Sequence, residues 1–183
     1  RGFMQGFEFR YVGPDKSKGV FLFDLLSDRV SNKDMENPEE LSLSPYERSN
    51  NIRYWLRGRF NQHLPMGIDA RGDIDFLSDQ DYLKEFTGGL YGSDPRPNLS
   101  KDFGRPTDDI FSSMRRSAIR VSKLSTDYSL QAGSFYYQRP ENPTNDTTPE
   151  PIGEIDFSIL PRQVASLPIR FKFNTDYDYI WRE

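Results

Sequence analysis

Apolar and polar residues alternate with a period of two along most of the chain. In residues 3–12, Phe3, Phe7, Phe9 and Tyr11 share one face, with Glu8 and Arg10 on the other. Residues 19–27 group Phe21, Phe23 and Leu25. In residues 52–64, Ile52, Tyr54, Leu56, Phe60 and Leu64 alternate with Arg53, Arg57, Arg59, Asn61 and His63. Residues 68–77 set Ile68, Ala70, Ile74 and Phe76 against Asp69, Arg71, Asp73 and Asp75. Residues 115–124 and 128–138 read as two more strands with less distinct faces. Residues 154–160 oppose Ile155, Phe157 and Ile159 to Glu154, Asp156 and Ser158. Residues 169–181 oppose Ile169, Phe171, Phe173, Tyr177 and Tyr179 to Arg170, Lys172, Asn174, Asp176 and Asp178. Successive side chains of a strand point to opposite faces, so the pattern predicts eight strands, each greasy on one side, and no helix.

The connections alternate too. Residues 13–18 form a short one and 28–50 a long one; 65–67 is tight and 78–114 very long. Residues 125–127 are tight again, 139–153 are long and rich in Pro and Thr, and 161–168 are intermediate. Antiparallel strands that cross a membrane produce this rhythm, with turns on one side and loops on the other. A strand of about ten residues, tilted near 45°, covers about 25 Å of apolar height.

Two hairpins have a register that can be read directly. If Pro65-Met66-Gly67 is a three-residue loop with Gly67 left-handed, Leu64 faces Ile68. Arg59 then meets Asp73 and Arg57 meets Asp75, while Phe60 meets Gly72 and Leu56 meets Phe76. Opposite charges across a strand pair contribute about 0.2–1 kcal/mol each, and a slip by one residue would mix the two faces. In the last hairpin, pairing Ile159 with Ile169 sets Phe157 against Phe171, Ile155 against Phe173 and Asp156 against Lys172. That register predicts interlaced charges.

Composition sharpens the picture. Only 35% of the 183 residues are hydrophobic, yet aromatics reach 14%, with fourteen Phe and ten Tyr. Disordered chains are poor in aromatics, whereas strands wet on one face and apolar on the other use them freely. A net charge of −4 offers no basic field for nucleic acid. There is no Cys, which removes disulfides and thiolate metal sites from this sequence. No run of 18 apolar residues exists, so no transmembrane helix is expected. Arg1-Gly2-Phe3-Met4 has no charged segment followed by an apolar core, and the missing initiator Met favours an internal piece of a longer chain.

Candidate chemistry is sparse. His63 is the sole histidine, so His triads and multi-His metal sites are not available; an ordinary polar-face residue near a turn is expected. Asp69, Asp73 and Asp75 lack the glycine and distal Glu of a calcium loop, and the arginines opposite explain them better. Asp79, Asp81 and Tyr82 read as a polar loop anchor, and Gly88-Gly89 lacks phosphate-loop spacing. Tyr11, Trp55, Tyr136, Tyr137, Tyr179 and Trp181 suit either a sugar-stacking surface or, more simply, a membrane-interface girdle. Trp55 falls on the polar side of its strand, which the pattern leaves without explanation. No catalytic, cofactor or metal residue is expected, and no enzyme activity.

Several runs resemble the LptD (OstA/Imp) family of outer-membrane lipopolysaccharide-assembly proteins. Arg1-Gly2-Phe3-Met4 leads into Phe7-Glu8-Phe9-Arg10-Tyr11. Gly67-Ile68-Asp69-Ala70 runs on through Asp75-Phe76-Leu77-Ser78-Asp79 to Tyr82 and Glu85-Phe86, and is the strongest similarity. Ser122-Lys123 through Tyr128-Ser129-Leu130 looks like a following hairpin. Pro151, Glu154-Ile155-Asp156-Phe157, Leu160-Pro161, Leu167-Pro168-Ile169 and Trp181-Arg182-Glu183 look like a later family segment. The resemblance implies an all-β antiparallel meander of about eight strands, an internal segment of a large transmembrane barrel in the cell outer membrane. It also implies a translocon that places lipopolysaccharide in the outer leaflet. The implied partners are outer-membrane lipid, a plug lipoprotein like LptE, and a periplasmic bridge like LptA reached through an N-terminal domain absent from this sequence; nucleic acid is not among them.

On that reading Arg53, Arg57, Arg59, Asp69, Arg71, Asp73 and Asp75 are candidate lumen-facing residues. Phe3, Phe7, Phe9, Phe21, Phe23, Leu56, Phe60, Phe171 and Phe173 are candidate lipid-facing ones. The alternatives are another outer-membrane barrel, such as a porin or a closed eight-stranded protein, and a soluble extracellular carbohydrate-binding β-domain. The closed barrel requires the first and last strands to pair. The soluble domain requires Phe3, Phe7, Phe21, Phe171 and Phe173 to pack in a closed core.

Overall fold

A computed structural model gives the fold and describes residues 2–28, 51–79, 82–83, 86, 99–106, 112, 114–139, 150–163 and 168–181. The eight strands are β1 (Phe3–Val12), β2 (Lys18–Ser27), β3 (Ile52–Leu64), β4 (Ile68–Leu77), β5 (Arg115–Leu124), β6 (Tyr128–Gln138), β7 (Glu150–Gln163) and β8 (Arg170–Trp181). They lie in one sheet in sequence order, each antiparallel to the next. The sheet is open, with β1 and β8 as its edges. The first and last strands therefore do not pair, as a closed eight-stranded barrel would require.

Turn chemistry fixes the early hairpins. In the β1–β2 turn, Ser17 N–H donates to the Pro14 carbonyl at 2.9 Å, and Asp15 and Lys16 both have positive φ. Two left-handed residues in succession give the backbone twist that a two-residue hairpin needs. Between β3 and β4, Pro65–Gly67 form a single 3-10 turn with Met66 at φ 65° and Gly67 at φ 69°. Gly67 takes the left-handed conformation expected of it. Met66, exposed, takes it as well, at the steric cost of its Cβ. Leu64 then faces Ile68, with Arg59 opposite Asp73, Arg57 opposite Asp75, Phe60 opposite Gly72 and Leu56 opposite Phe76.

The last hairpin corrects its expectation. Ile159 pairs with Phe173, Phe157 with Thr175, Ile155 with Tyr177, and Asp156 with Asp176, four residues away from the predicted partners. β7 also runs over Glu150–Gln163 rather than 154–160. The turn lies farther along the chain than predicted because β7 continues through Gln163, past an irregularity between Ile159 and Arg162 around Pro161. Proline has no N–H to give the ladder, so it reads as a strand end; here it sits in a bulge, and the strand resumes beyond it.

A further difference lies between β4 and β5. A short helix, α1 (Leu99–Phe103), and a helical turn at Tyr82–Leu83 interrupt a stretch expected to be loop alone. The β4–β5 ladder is also short, ending at Asp73–Ala118. Beyond it, side chains satisfy the β4 main chain. Asp75 N–H donates to Ser117 Oγ at 3.0 Å. Leu77 N–H donates to Gln138 Oε1 at 2.9 Å, and Gln138 Nε2 donates to the Leu77 carbonyl at 2.6 Å.

Candidate functional site

The pairing divides the sheet into two chemically distinct faces. One carries Phe3, Phe7, Phe9 and Tyr11 of β1, Phe21 and Phe23 of β2, and Tyr54, Leu56 and Phe60 of β3. It continues through Ile74 and Phe76 of β4, Ile119 and Val121 of β5 and Tyr136 of β6 to Ile155, Phe157, Phe173, Tyr177 and Tyr179. Neighbouring rings touch across the strands: Phe7–Phe23, Phe9–Phe21, Phe21–Phe60, Phe23–Tyr54 and Phe76–Tyr136 have centroids 5.5–6.5 Å apart. This face is nonetheless open. Phe3, Phe7 and Phe9 are 67%, 57% and 61% exposed, and Phe171 and Phe173 are exposed as well. Phe21, Phe23, Leu56 and Phe60 are half-buried by their ring neighbours. The closed core demanded by a soluble domain is not where these side chains lie.

Glycines make the rings fit. A Cβ on Gly19 would stand 2.2 Å from the Tyr11 ring, one on Gly58 2.5 Å from Phe21, and one on Gly72 2.0 Å from Phe60. Each ring lies over the bare backbone of the strand beside it, filling the space a side chain would have used.

The opposite face holds the charges, and its first half is buried. Arg53, Arg57 and Arg59 are 2%, 5% and 6% exposed. Arg53 lies between two carboxylates, with Nη1 3.1 Å from Asp28 Oδ2 and Nη2 2.6 Å from Asp79 Oδ1. Asp79 also accepts from its Nε at 2.9 Å, so that pair is two-pronged. Arg57 pairs with Asp24, itself fully buried, at 3.2 Å. Its guanidinium stacks on the Trp55 ring, 3.6 Å from the centroid. Arg59 Nε lies 3.2 Å from Asp73 Oδ1, and Arg115 Nη1 lies 3.1 Å from Asp75 Oδ2. Asp75 also accepts from Trp55 Nε1 at 2.8 Å. That contact accounts for a tryptophan on a polar face: its ring supports Arg57 and its N–H is satisfied. At the turn end, His63 Nδ1 contacts Asp69.

What covers this half is the β4–β5 connection. Asp79 caps the helical turn by accepting the Tyr82 N–H at 2.8 Å, and Phe86 N–H donates to the Tyr82 carbonyl at 2.8 Å. Tyr82 and Leu83 pack with Leu26, Trp55 and Leu77, and the Arg53 guanidinium lies over the Tyr82 and Phe86 rings. Burial, and then the Asp24 carboxylate, push the Tyr82 hydroxyl well above the usual phenol range, so it stays neutral. Farther along, Leu99 and Phe103 of α1 pack on Val20 and Leu22. Gly104, at φ 65°, ends that helix in the left-handed conformation.

The second half of the polar face has no such cover among the described residues. Glu154 stands opposite Asp178, and Asp156 opposite Asp176, acid against acid. The interlaced charges expected there are absent. Gln131 neighbours Asp156 on β6, and Arg116 and Arg120 lie over the buried Phe135 ring, each 5.0 Å from its centroid. All of β8 is exposed.

No protein-family model matches the chain, and no curated protein does. Chemistry on this face must therefore be argued from its residues. Of the candidates read from the sequence, Arg53, Arg57 and Arg59 lie buried in the network, and Asp73 and Asp75 are half-buried members of it. Asp69 contacts His63, and Arg71 is exposed beside Asn61 and Arg120. Sequence reasoning missed Asp24, Asp28, Arg105 and Arg115. Asp24 was legible, since it shares the even positions of β2 with Val20, Leu22 and Lys18, opposite the Phe face. Among the described residues no group of three or more His, Cys, Asp or Glu is placed to hold a metal, and no helix is long and apolar enough to cross a membrane. Residues 29–50 and 140–149, with Asp81, Glu85, Gly88-Gly89, Leu167 and Arg182-Glu183, lie outside the described residues.

Proposed function

We propose that the chain is a segment of a transmembrane β-barrel in a bacterial outer membrane, serving lipopolysaccharide insertion in the manner of the LptD family it resembles. One observation carries the membrane part. The apolar face is continuous and open across all eight strands, while in the first half of the other face the arginines are buried and paired with aspartates. Soluble monomers rarely expose an apolar patch beyond a few hundred Å²; a lipid-facing sheet requires one. Strands of 10–14 residues suit the thickness of the hydrocarbon layer. Free edges at β1 and β8 suit a sheet that further strands complete into a barrel, because an unpaired edge is untenable in lipid.

The lipopolysaccharide assignment rests on the sequence resemblance. Within its strongest run, Asp79, Tyr82 and Phe86 gather around Arg53, which gives those residues a joint structural role. On this reading the polar face borders water in the lumen, where a plug lipoprotein like LptE would lie, and a bridge like LptA would deliver substrate from the periplasm. The chain acts as conduit and not as enzyme.

The lack of native cysteines makes the test clean. Single cysteines at Phe7, Phe23 and Phe157, and at Asp156 and Asn174, would carry a polarity-sensitive fluorophore on the chain folded into phosphatidylcholine vesicles. Probes on the phenylalanine face are expected to emit in the blue and to be quenched by lipids brominated in their acyl chains; those on the acid face are not. A chain that stays in the aqueous phase as a cooperatively melting monomer sinks the membrane reading. The cargo is tested separately: depleting the source cell of the parent protein should reduce surface lipopolysaccharide, and unchanged surface lipopolysaccharide refutes that part alone.

A further inference from the structure

Two described parts of the connection between β4 and β5 lie on the polar face. The connection leaves β4 at the end of the sheet that bears the long connections, where Tyr82 and Leu83 pack with Leu26, Trp55 and Leu77. Its second anchor is at Val20 and Leu22. There, Lys18 adjoins the short Gly13–Ser17 turn at the opposite end of β2.

Both anchors combine buried apolar side chains with charged contacts, the first through Arg53 and Asp79, the second through Arg59, Lys18 and Arg105. At the first, Tyr82 and Leu83 are fully buried among apolar neighbours. At the second, Leu99 and Phe103 are buried on Val20 and Leu22, and polar contacts to main-chain carbonyls add to them. The Arg59 guanidinium donates to the main-chain carbonyls of Leu99 (3.3 Å), Arg105 and Pro106. Lys18 Nζ donates to the Asp102 carbonyl and lies over the Phe103 ring. Arg105 reaches back to the sheet, with Nε 3.0 Å from Asp73 Oδ1, Nη1 2.6 Å from Asn61 Oδ1 and Nη2 3.2 Å from the Gly72 carbonyl. α1 has five residues, too few to persist without these contacts, and only Leu99 and Phe103 are buried along it.

We propose that residues 99–106 are a latch, held on the polar face by Arg59, Lys18 and Arg105, that lifts as a unit while the sheet beneath stays paired. The acceptors on the latch are mostly main-chain carbonyls, which water satisfies when they leave. The donors are a guanidinium and an ammonium, which hydrate readily. The ladder below does not depend on the latch, because Arg59 keeps Asp73 and the β3–β4 pairing runs unbroken from Trp55–Leu77 to Leu64–Ile68. Segments with few apolar contacts and many polar ones open at low cost. Lifting would uncover Val20, Leu22 and Arg59 and widen the water-filled side of the wall. This inference rests on the reading of that face as a lumen wall.

Amide hydrogen exchange, read by mass spectrometry on the chain in phosphatidylcholine vesicles, tests it. Amides of 99–105 should be protected in the unmodified protein, Pro106 having none. Arg59→Gln should speed their exchange about tenfold or more, since bonds from a charged donor are among the stronger ones. The amides of β2–β4 should change by less than about twofold, as expected of a separate low-stability unit. Arg105→Gln, on the latch itself, should act in the same direction and serves if Arg59→Gln does not fold. Unprotected amides in the unmodified protein, protection untouched by both substitutions, or β2–β4 loosening in step would each overturn the latch. A chain that refuses vesicles instead fails the membrane reading. The same exchange measured in detergent micelles then still decides whether 99–106 moves independently of the sheet.

Discussion

The sheet's two halves share one apolar face but differ on the polar one. Across β1–β4 the polar face is folded over by its own β4–β5 connection, and every buried arginine meets a carboxylate. Beyond the buried Arg115, Ser117 and Phe135 of β5 and β6 it lies open, and β7 confronts β8 with acids on both sides. Charge alone does not decide burial. Arginine and aspartate go inside where a strand register puts opposite signs together and a covering segment excludes water. Where like signs face each other, they stay hydrated. The same polar face can thus serve as a packed interior in one half and a wet wall in the other.

The sharpest way to break that contrast is to remove a cation from each half. Arg57→Met takes the guanidinium from beside the fully buried Asp24 and a positive charge from beside Asp75. Unfolding by denaturant in detergent micelles should show a loss of about 3–5 kcal/mol, the usual result of leaving a buried charge uncompensated. Arg120→Met, on the open half, removes an exposed cation that lies over the Phe135 ring and attracts Asp156 through water, and should cost about 0.5–1 kcal/mol. Equal losses would show that the two halves are packed alike.

On the apolar face the halves should instead agree. Phe23→Arg and Phe157→Arg each place a charge where the membrane reading puts hydrocarbon, at about 2–4 kcal/mol apiece near the bilayer midplane. Titrating folding into vesicles measures both. A large cost for one with none for the other would mean that half of the sheet does not face lipid.

How much of this could be read from the chain alone also divides between the halves. The β3–β4 register was legible because three signals agree: a Pro-Met-Gly turn, opposite charges at two positions, and matched apolar partners. In the β7–β8 hairpin the turn was uninformative, and Pro161 hid a bulge, so an apolar match four residues away looked as good. The covering segment was obscured for another reason. Tyr82, Leu83 and Phe86, then Leu99 and Phe103, have the three- and four-residue spacing of short helical turns. Gly and Pro surround them, and each turn is held by the sheet instead of by its own propensity. Tertiary contact created those helices, and no local pattern announces that.

Glycine substitutions sharpen the comparison at smaller scale. In Gly72→Ala the new methyl meets the Phe60 ring at 2.0 Å, so the ring must swing off the strand. Overpacking of this kind costs about 1–3 kcal/mol. Gly153, in β7, has Tyr179 Cβ at 3.7 Å as the nearest atom, an ordinary contact. Gly153→Ala should therefore fall within about 0.5 kcal/mol of the parent in the same unfolding experiment. A neutral Gly72→Ala would mean that the ring-over-glycine packing does not hold the first half together.

The smallest expected effect has opposite signs in the two halves. Asp156 faces Asp176 directly, with Glu154 and Asp178 as the next pair along the same face. Like charges opposite each other on a strand pair destabilise it by a few tenths of a kcal/mol, reduced further where water screens them. Asp156→Asn keeps the shape and removes one charge, so the protein should become slightly more stable. Asp75→Asn is the same chemical change in the covered half. There the carboxylate holds Arg115 and accepts the Trp55 N–H, so stability should fall. Salt separates the causes. At about 1 M the Debye length shrinks to about 3 Å, and the gain from Asp156→Asn should vanish while the loss from Asp75→Asn persists. A loss on neutralising Asp156 would mean that the open acid row is held by a cation, and the contrast between covered and uncovered halves would no longer stand on charge.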